Sequence, residues 1–167
     1  SINILEEYVE TGNFQDLDIL LMKQPELLNT VTSHQVSPLL LACYYDKPTV
    51  IQVMLKYLRN INIHEVAALG LNEQLETILA QQPAVIDEFS TNGFTALGLA
   101  AHFGQESTVR ILLRHRADPN VSSENGYEVY PLHAALSNDH TDIAKMLIEA
   151  GADVNVLQHG GISPLHL

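Results

Sequence analysis

Between Phe14 and Leu21 an apolar stripe runs through Phe14, Leu17, Leu20 and Leu21, three, three and one apart. That spacing puts one stripe on one side of a helix with 3.6 residues per turn. The same stripe returns as Leu71, Leu75, Ile78 and Leu79, as Val109, Leu112 and Leu113, and as Ile143, Met146, Leu147 and Ile148. Each stripe ends near a residue that stops a helix: Pro25, Pro83, Asp118-Pro119 or Gly151. The blocks share a frame. Apolar anchors stand at Leu5, Leu39, Ile63, Leu97 and Leu132, with another at Leu165, spaced by 34, 24, 34, 35 and 33 residues. Seven residues after each of the first five comes Gly12, Asp46, Gly70, Gly104 or Asp139; sixteen after comes Leu21, Leu55, Leu79, Leu113 or Ile148. The period predicts a repeated unit of short helix, tight turn, longer helix and extended loop.

Local chemistry agrees with this frame. Ser37-Pro38, Thr95-Ala96 and Ser163-Pro164 precede anchors; Ser and Thr cap helix amides, and Pro at the first helical position forfeits no hydrogen bond. Asn29, Asp87, Asn120 and Asn155 follow the long helices, and Gly93, Gly126 and Gly161 stand where a hairpin needs positive φ. The first hairpin has Gln35 at that place. The segments Phe94-Thr95-Ala96-Leu97-Gly98-Leu99-Ala100-Ala101-His102-Phe103-Gly104, Ala150-Gly151-Ala152-Asp153-Val154-Asn155 and Ser163-Pro164-Leu165-His166 resemble the ankyrin-repeat family. The resemblance covers nearly the whole chain. It implies an all-α solenoid of stacked helix-turn-helix units, with β-hairpin fingers projecting from one edge. The array divides into units at about 3–36, 37–60, 61–94, 95–129 and 130–162, with a partial unit at 163–167.

Two irregularities alter that plan. The 24-residue step from Leu39 to Ile63 leaves Asn60-Ile61-Asn62 running straight into the next helix, so the hairpin between units two and three is expected to be missing. The loop from Asn120 to Leu132 is two residues longer than its counterparts, with Tyr127-Glu128-Val129-Tyr130 filling it, so this finger should reach further or bulge. The sequence starts without Met and stops inside a sixth unit, which suggests a fragment of a longer protein. Its uncapped C-terminal face is expected to be apolar and prone to self-association.

Charge narrows the choice of partner. Eight Lys and Arg against twenty Asp and Glu give a formal net charge of −12. That excess argues against binding nucleic acid or an anionic membrane surface, both of which require cations. No apolar stretch has the length of a membrane span. A single cysteine, Cys43, rules out an internal disulfide framework and suggests a reducing compartment, hence a cytoplasmic protein, or a secreted effector if the source is bacterial.

Chemistry-bearing motifs are sparse. His64-Glu65-Val66-Ala67-Ala68 starts like a zinc-protease helix, but Ala68 stands where the second imidazole must be. His64, His133 and His166 each follow an anchor; the family resemblance implies that they bond backbone and tie adjacent repeats together. Cys43 reads as a small packing residue, and Arg110, Arg114, His115 and Arg116 as a cluster complementing a helix C-terminus. Neither a catalytic group, a metal site nor a cofactor is expected. The resemblance implies instead a protein-interaction module that binds through finger tips and the exposed ends of the inner helices. Four Phe and six Tyr are the whole aromatic content, and seven of them fall on or beside that face. The candidate contacts are Tyr44, Tyr45, Phe89, Asn92, Phe94, His102, Phe103, Glu124, Tyr127, Tyr130, Asn138 and His159. The expected partner is a protein or peptide with apolar anchors and basic flanks. The alternatives are an array that regulates or targets a catalytic domain elsewhere, or a binder of a small ligand.

Overall fold

The computed structural model describes residues 2–158, all of them in helices, tight turns and loops; no strand occurs among the described residues. The helices are α1 (Ile2–Thr11), α2 (Phe14–Lys23), α3 (Pro38–Tyr44), α4 (Pro48–Tyr57), α5 (Ile63–Leu69), α6 (Asn72–Gln81), α7 (Ala96–His102), α8 (Glu106–Arg114), α9 (Pro131–Ser137) and α10 (Thr141–Glu149). They fall into two compact units that divide between Ile61 and Asn62. In the first unit α1 packs on α2 and α3 on α4, with α1 beside α3 and α2 beside α4. The second unit repeats the scheme with the pairs α5/α6, α7/α8 and α9/α10, the inner helices α5, α7 and α9 lying side by side.

Side-chain caps fix where α3, α5 and α7 start. Ser37 Oγ accepts from Leu40 N at 3.2 Å and Thr95 Oγ1 from Gly98 N at 3.1 Å. Asn62 and Glu65 close a reciprocal box on α5, Asn62 Oδ1 accepting from Glu65 N at 2.8 Å and Glu65 Oε1 from Asn62 N at 3.0 Å. Gly12, Gly70 and Gly104 end α1, α5 and α7 in the left-handed region at φ near 75°, and Asp46 and Asp139 take the same conformation after α3 and α9.

The anchors Leu5, Leu39, Ile63, Leu97 and Leu132 are all buried. The second apolar positions need correcting. Leu21 and Leu79 are buried as expected, but Leu55 and Leu113 are only half-buried and Ile148 is 45% exposed. In those units the residue one earlier, Met54, Leu112 or Leu147, fills the core. One residue is a rotation of about 100° on a helix, so α4, α8 and α10 present a turned face. The outer helices α2 and α6, which run into the 3-10 turns Pro25–Asn29 and Pro83–Asp87, keep the sixteen-residue register.

Three fingers occur among the described residues, the one expected at Gly161 lying outside them. Thr32 N donates to Val36 O at 2.9 Å, Ser90 N to Phe94 O at 2.8 Å and Ser123 N to Val129 O at 2.8 Å. They are hairpin turns too short for a ladder. Gln35 does occupy positive φ, at 66°, in the glycine position. The third finger encloses two extra residues, and both Tyr127 and Glu128 project to solvent. No finger separates α4 from α5: only residues 58–62 join them. On the first unit, Lys56 Nζ lies 2.8 Å from Asp18 Oδ1 and Tyr57 donates its hydroxyl to the same oxygen. The Lys56 bond, helped by Tyr57, holds the exposed Asp18 carboxyl below its ordinary pKa.

Candidate functional site

Within the second unit the fingers are set by direct bonds between them. Glu124 N donates to Gly93 O at 2.7 Å, and Asn125 Nδ2 reaches Asn92 O at 3.2 Å. Each finger is also closed internally: Phe94 N donates to Ser90 Oγ at 3.1 Å and Val129 N to Ser123 Oγ at 3.0 Å. The loops below them form a second set of rungs, Asp118 N to Asp87 Oδ1 at 3.0 Å and Asp153 N to Asn120 Oδ1 at 2.8 Å. A third set spans the turns. Gln105 Nε2 donates to Ala68 O at 2.9 Å, and His140 Nε2 lies 3.2 Å from His102 O. Finger tips and inner-helix ends are therefore fixed relative to each other along this unit.

On that frame the candidates sort by exposure. Phe89 is 38% and Tyr127 48% exposed, Glu124 is exposed, and Asn92, Phe103, Tyr130 and Asn138 are half-buried. Phe103 caps α7 and meets the His102 ring edge-on at 4.7 Å. Asn138 Nδ2 lies 3.0 Å from His102 Nδ1 and donates to Ala134 O at 2.8 Å.

Two candidates leave the set of direct contacts. Phe94 is 1% exposed: its backbone closes the finger with Ser90 and its side chain belongs to the core. His102 is 9% exposed, held between Asn138 and the Phe103 ring, so it supports its neighbours rather than meeting a partner. In the first unit, Tyr44 and Tyr45 end α3 half-buried, with His34 edge-on to Tyr45 at 6.3 Å. His159, and the expected apolar C-terminal face, lie outside the described residues.

The structure also brings in residues that the sequence pattern did not single out. Asn125 and Ser123 build the third finger. Leu136, 38% exposed on α9, stands four residues after its anchor, where α3, α5 and α7 have Cys43, Ala67 and Ala101; that change from small to large along these helices was visible in the sequence.

The histidines after the anchors act as structural ties. His64 Nε2 lies 2.8 Å from Glu88 O, and His133 Nε2 2.7 Å from Val156 O. Each bond runs from an inner helix to the segment following the outer helix of the same repeat, not between adjacent repeats as the resemblance implies. Burial is the main cause of a lowered His64 pKa, opposed by its bond to Glu88 O, so the ring is held neutral. Glu65 is spent on its cap. No group of three or more His, Cys, Asp or Glu that could hold a metal occurs among the described residues, and no helix among them is long and apolar enough to cross a membrane. In the basic cluster, His115 lies 2.7 Å from Glu76 and Arg110 4.0 Å from Glu106.

Comparison with known proteins agrees with this geometry. The family description of ankyrin repeats, in three copies, matches residues 63–158. The chain is 42% identical over 76 residues to alpha-latrocrustotoxin-Lt1a of Latrodectus tredecimguttatus, covering 45% of this chain and 5% of that protein. It is 40% identical over 67 residues to an ankyrin repeat-containing protein of Schizosaccharomyces pombe, covering 40% of this chain and 31% of that protein. With protein phosphatase 1 regulatory subunit 27 of Mus musculus it shares 32% over 95 residues, 57% of this chain and 60% of the relative. The chain thus spans less than two thirds of each of these relatives. Ankyrin repeats are generally protein–protein interaction modules. The match to three ankyrin repeats spans more than half of the residues, and this chain belongs to the ankyrin-repeat family.

Proposed function

We propose that the second unit binds a protein or peptide partner across its finger tips and the ends of α7 and α9. The observation that carries this reading is the pair of exposed aromatics, Phe89 and Tyr127, on fingers locked by the Glu124–Gly93 bond and accompanied by the half-buried Phe103. Aromatic rings on a rigid frame lose little entropy on binding and are the commonest hot-spot residues. Glu124 and the net charge of −12 favour basic flanks on the partner. Tyr44 and Tyr45 give the first unit its own aromatic contact. We place the protein in a reducing, intracellular compartment.

The test starts with affinity capture of a partner, then calorimetry on the variants Phe103→Ala and Tyr127→Ala. Each is expected to weaken binding by about 2 kcal/mol, roughly 30-fold, with the helical signal unchanged. Retention of affinity within a factor of about two in both would overturn the assignment. Regulation of a catalytic partner is the second reading, favoured by the likeness to a phosphatase regulatory subunit. Addition of the captured partner's enzymatic assay distinguishes it from plain tethering.

A further inference from the structure

In the second unit every loop below the fingers hands a bond to the next: an Asx side chain accepts the amide of an Asp one repeat later, as Asp87 does from Asp118 and Asn120 from Asp153. The donor lies in an Asp-x-Asn turn each time, closed by its own carboxylate: Asn120 N donates to Asp118 Oδ1 at 2.8 Å, and Asn155 N to Asp153 Oδ1 at 2.9 Å.

In the first unit Asn29 stands at the end of the turn Pro25–Asn29, the place Asp87 holds in Pro83–Asp87. Residues 58–62 supply no loop to pair with it. Asn29 is exposed, and no amide reaches its side chain among the described residues. Beside it lies a cleft of about 260 Å³ whose lining includes Glu26, Leu28, Asn29, Tyr57, Leu58 and Arg59. Its wall is pre-set. The Tyr57 hydroxyl is tied to Asp18, and Lys56 Nζ sits 5.0 Å from the Tyr57 ring centroid.

We propose that this cleft docks an Asp-x-Asn turn presented by another protein, in place of the missing loop. The turn's Asp amide would donate to Asn29, an apolar residue just after the turn would lie on the half-buried Tyr57 and Leu58, and the Asp carboxylate would face Arg59. Arg59 offers that carboxylate one cationic contact while Glu26 lines the same cleft, so the match is to the single Asp of a turn and not to an acidic patch. A second copy of this chain is a poorer occupant, because its own turn amides at Asp118 and Asp153 are already given to Asp87 and Asn120.

The probe is a labelled peptide of residues 149–158 of this chain, Glu-Ala-Gly-Ala-Asp-Val-Asn-Val-Leu-Gln, used linear and as a head-to-tail ring that pre-forms the turn. Its binding to the full chain is monitored by anisotropy and by amide shifts. The expected result is saturable binding, shifts centred on residues 25–29 and 57–59, and a loss of at least about tenfold with Asn29→Ala or when the peptide's Asp is replaced by Pro, which has no amide hydrogen. Asn29→Ala removes an exposed side chain, so its thermal midpoint is expected to stay at the parent value. Absence of saturation by either peptide at about 1 mM, shifts elsewhere, or binding indifferent to both changes would overturn the proposal. So would a dimer in sedimentation that Asn29→Ala dissolves, because the occupant would then be a second copy. None of these outcomes bears on Phe103 or Tyr127, so the finger-tip reading stands or falls separately.

Discussion

His64 and His133 show how much one side chain can fix. Tyr130 N donates to His133 Nδ1 at 3.0 Å, so the proton must sit on Nε2, which gives it to Val156 O. His64 makes the corresponding bond to Glu88 O from an environment that lowers its pKa below 6.5, with burial as the leading cause. The unfolded chain therefore takes up that proton first. Stability from this group is intact above about 6.5 and is lost as pH falls from there through the folded pKa. Urea unfolding at about pH 7.5 and about pH 5.5 should show a lower midpoint in acid, and His64→Gln should reduce the drop. An equal drop in the variant would remove His64 as its source. These histidines were legible because each comes directly after an anchor; their acceptors were not, since a carbonyl 23 or 24 residues along leaves no trace in composition. The burial of Phe94 departs from the sequence pattern for a related reason. It ends a hairpin, and the sequence does not say whether that end rests on the core or above it.

At the scale of elements, Gly93 and Gly126 form a matched pair. Both adopt φ of 87°. A Cβ on Gly93 would come within 2.8 Å of Glu124 O, whereas one on Gly126 would meet nothing within 4 Å. Gly126→Ala should cost about 1 kcal/mol of left-handed strain. Gly93→Ala should cost more, about 2–3 kcal/mol, because the finger must also move off its neighbour. Chemical denaturation of the two variants measures the difference; equal losses would mean that the finger-to-finger contact is not tight. The helices themselves were readable from stripes and caps, and the missing finger from a shortfall in spacing. The rotation of α4, α8 and α10 was hidden, because adjacent apolar pairs such as Met54-Leu55, Leu112-Leu113 and Leu147-Ile148 satisfy either register.

For the molecule as a whole, charge decides how a partner arrives. With a net charge of −12, association with a basic partner should slow as salt rises, while dissociation changes little. Stopped-flow rates between about 20 and 200 mM salt would show the on-rate falling several-fold, and a flat on-rate would refute basic flanks.

The loop rungs have an evolutionary corollary. Asp87 and Asn120 each accept an amide from the next repeat, while Asp118 and Asp153 each donate one to the repeat before. A duplicated repeat inserted among them would find both halves of its joint ready-made. Growth by tandem copying is therefore cheap in this stretch, whereas at residues 58–62 the acceptor place held by Asn29 meets no donor loop.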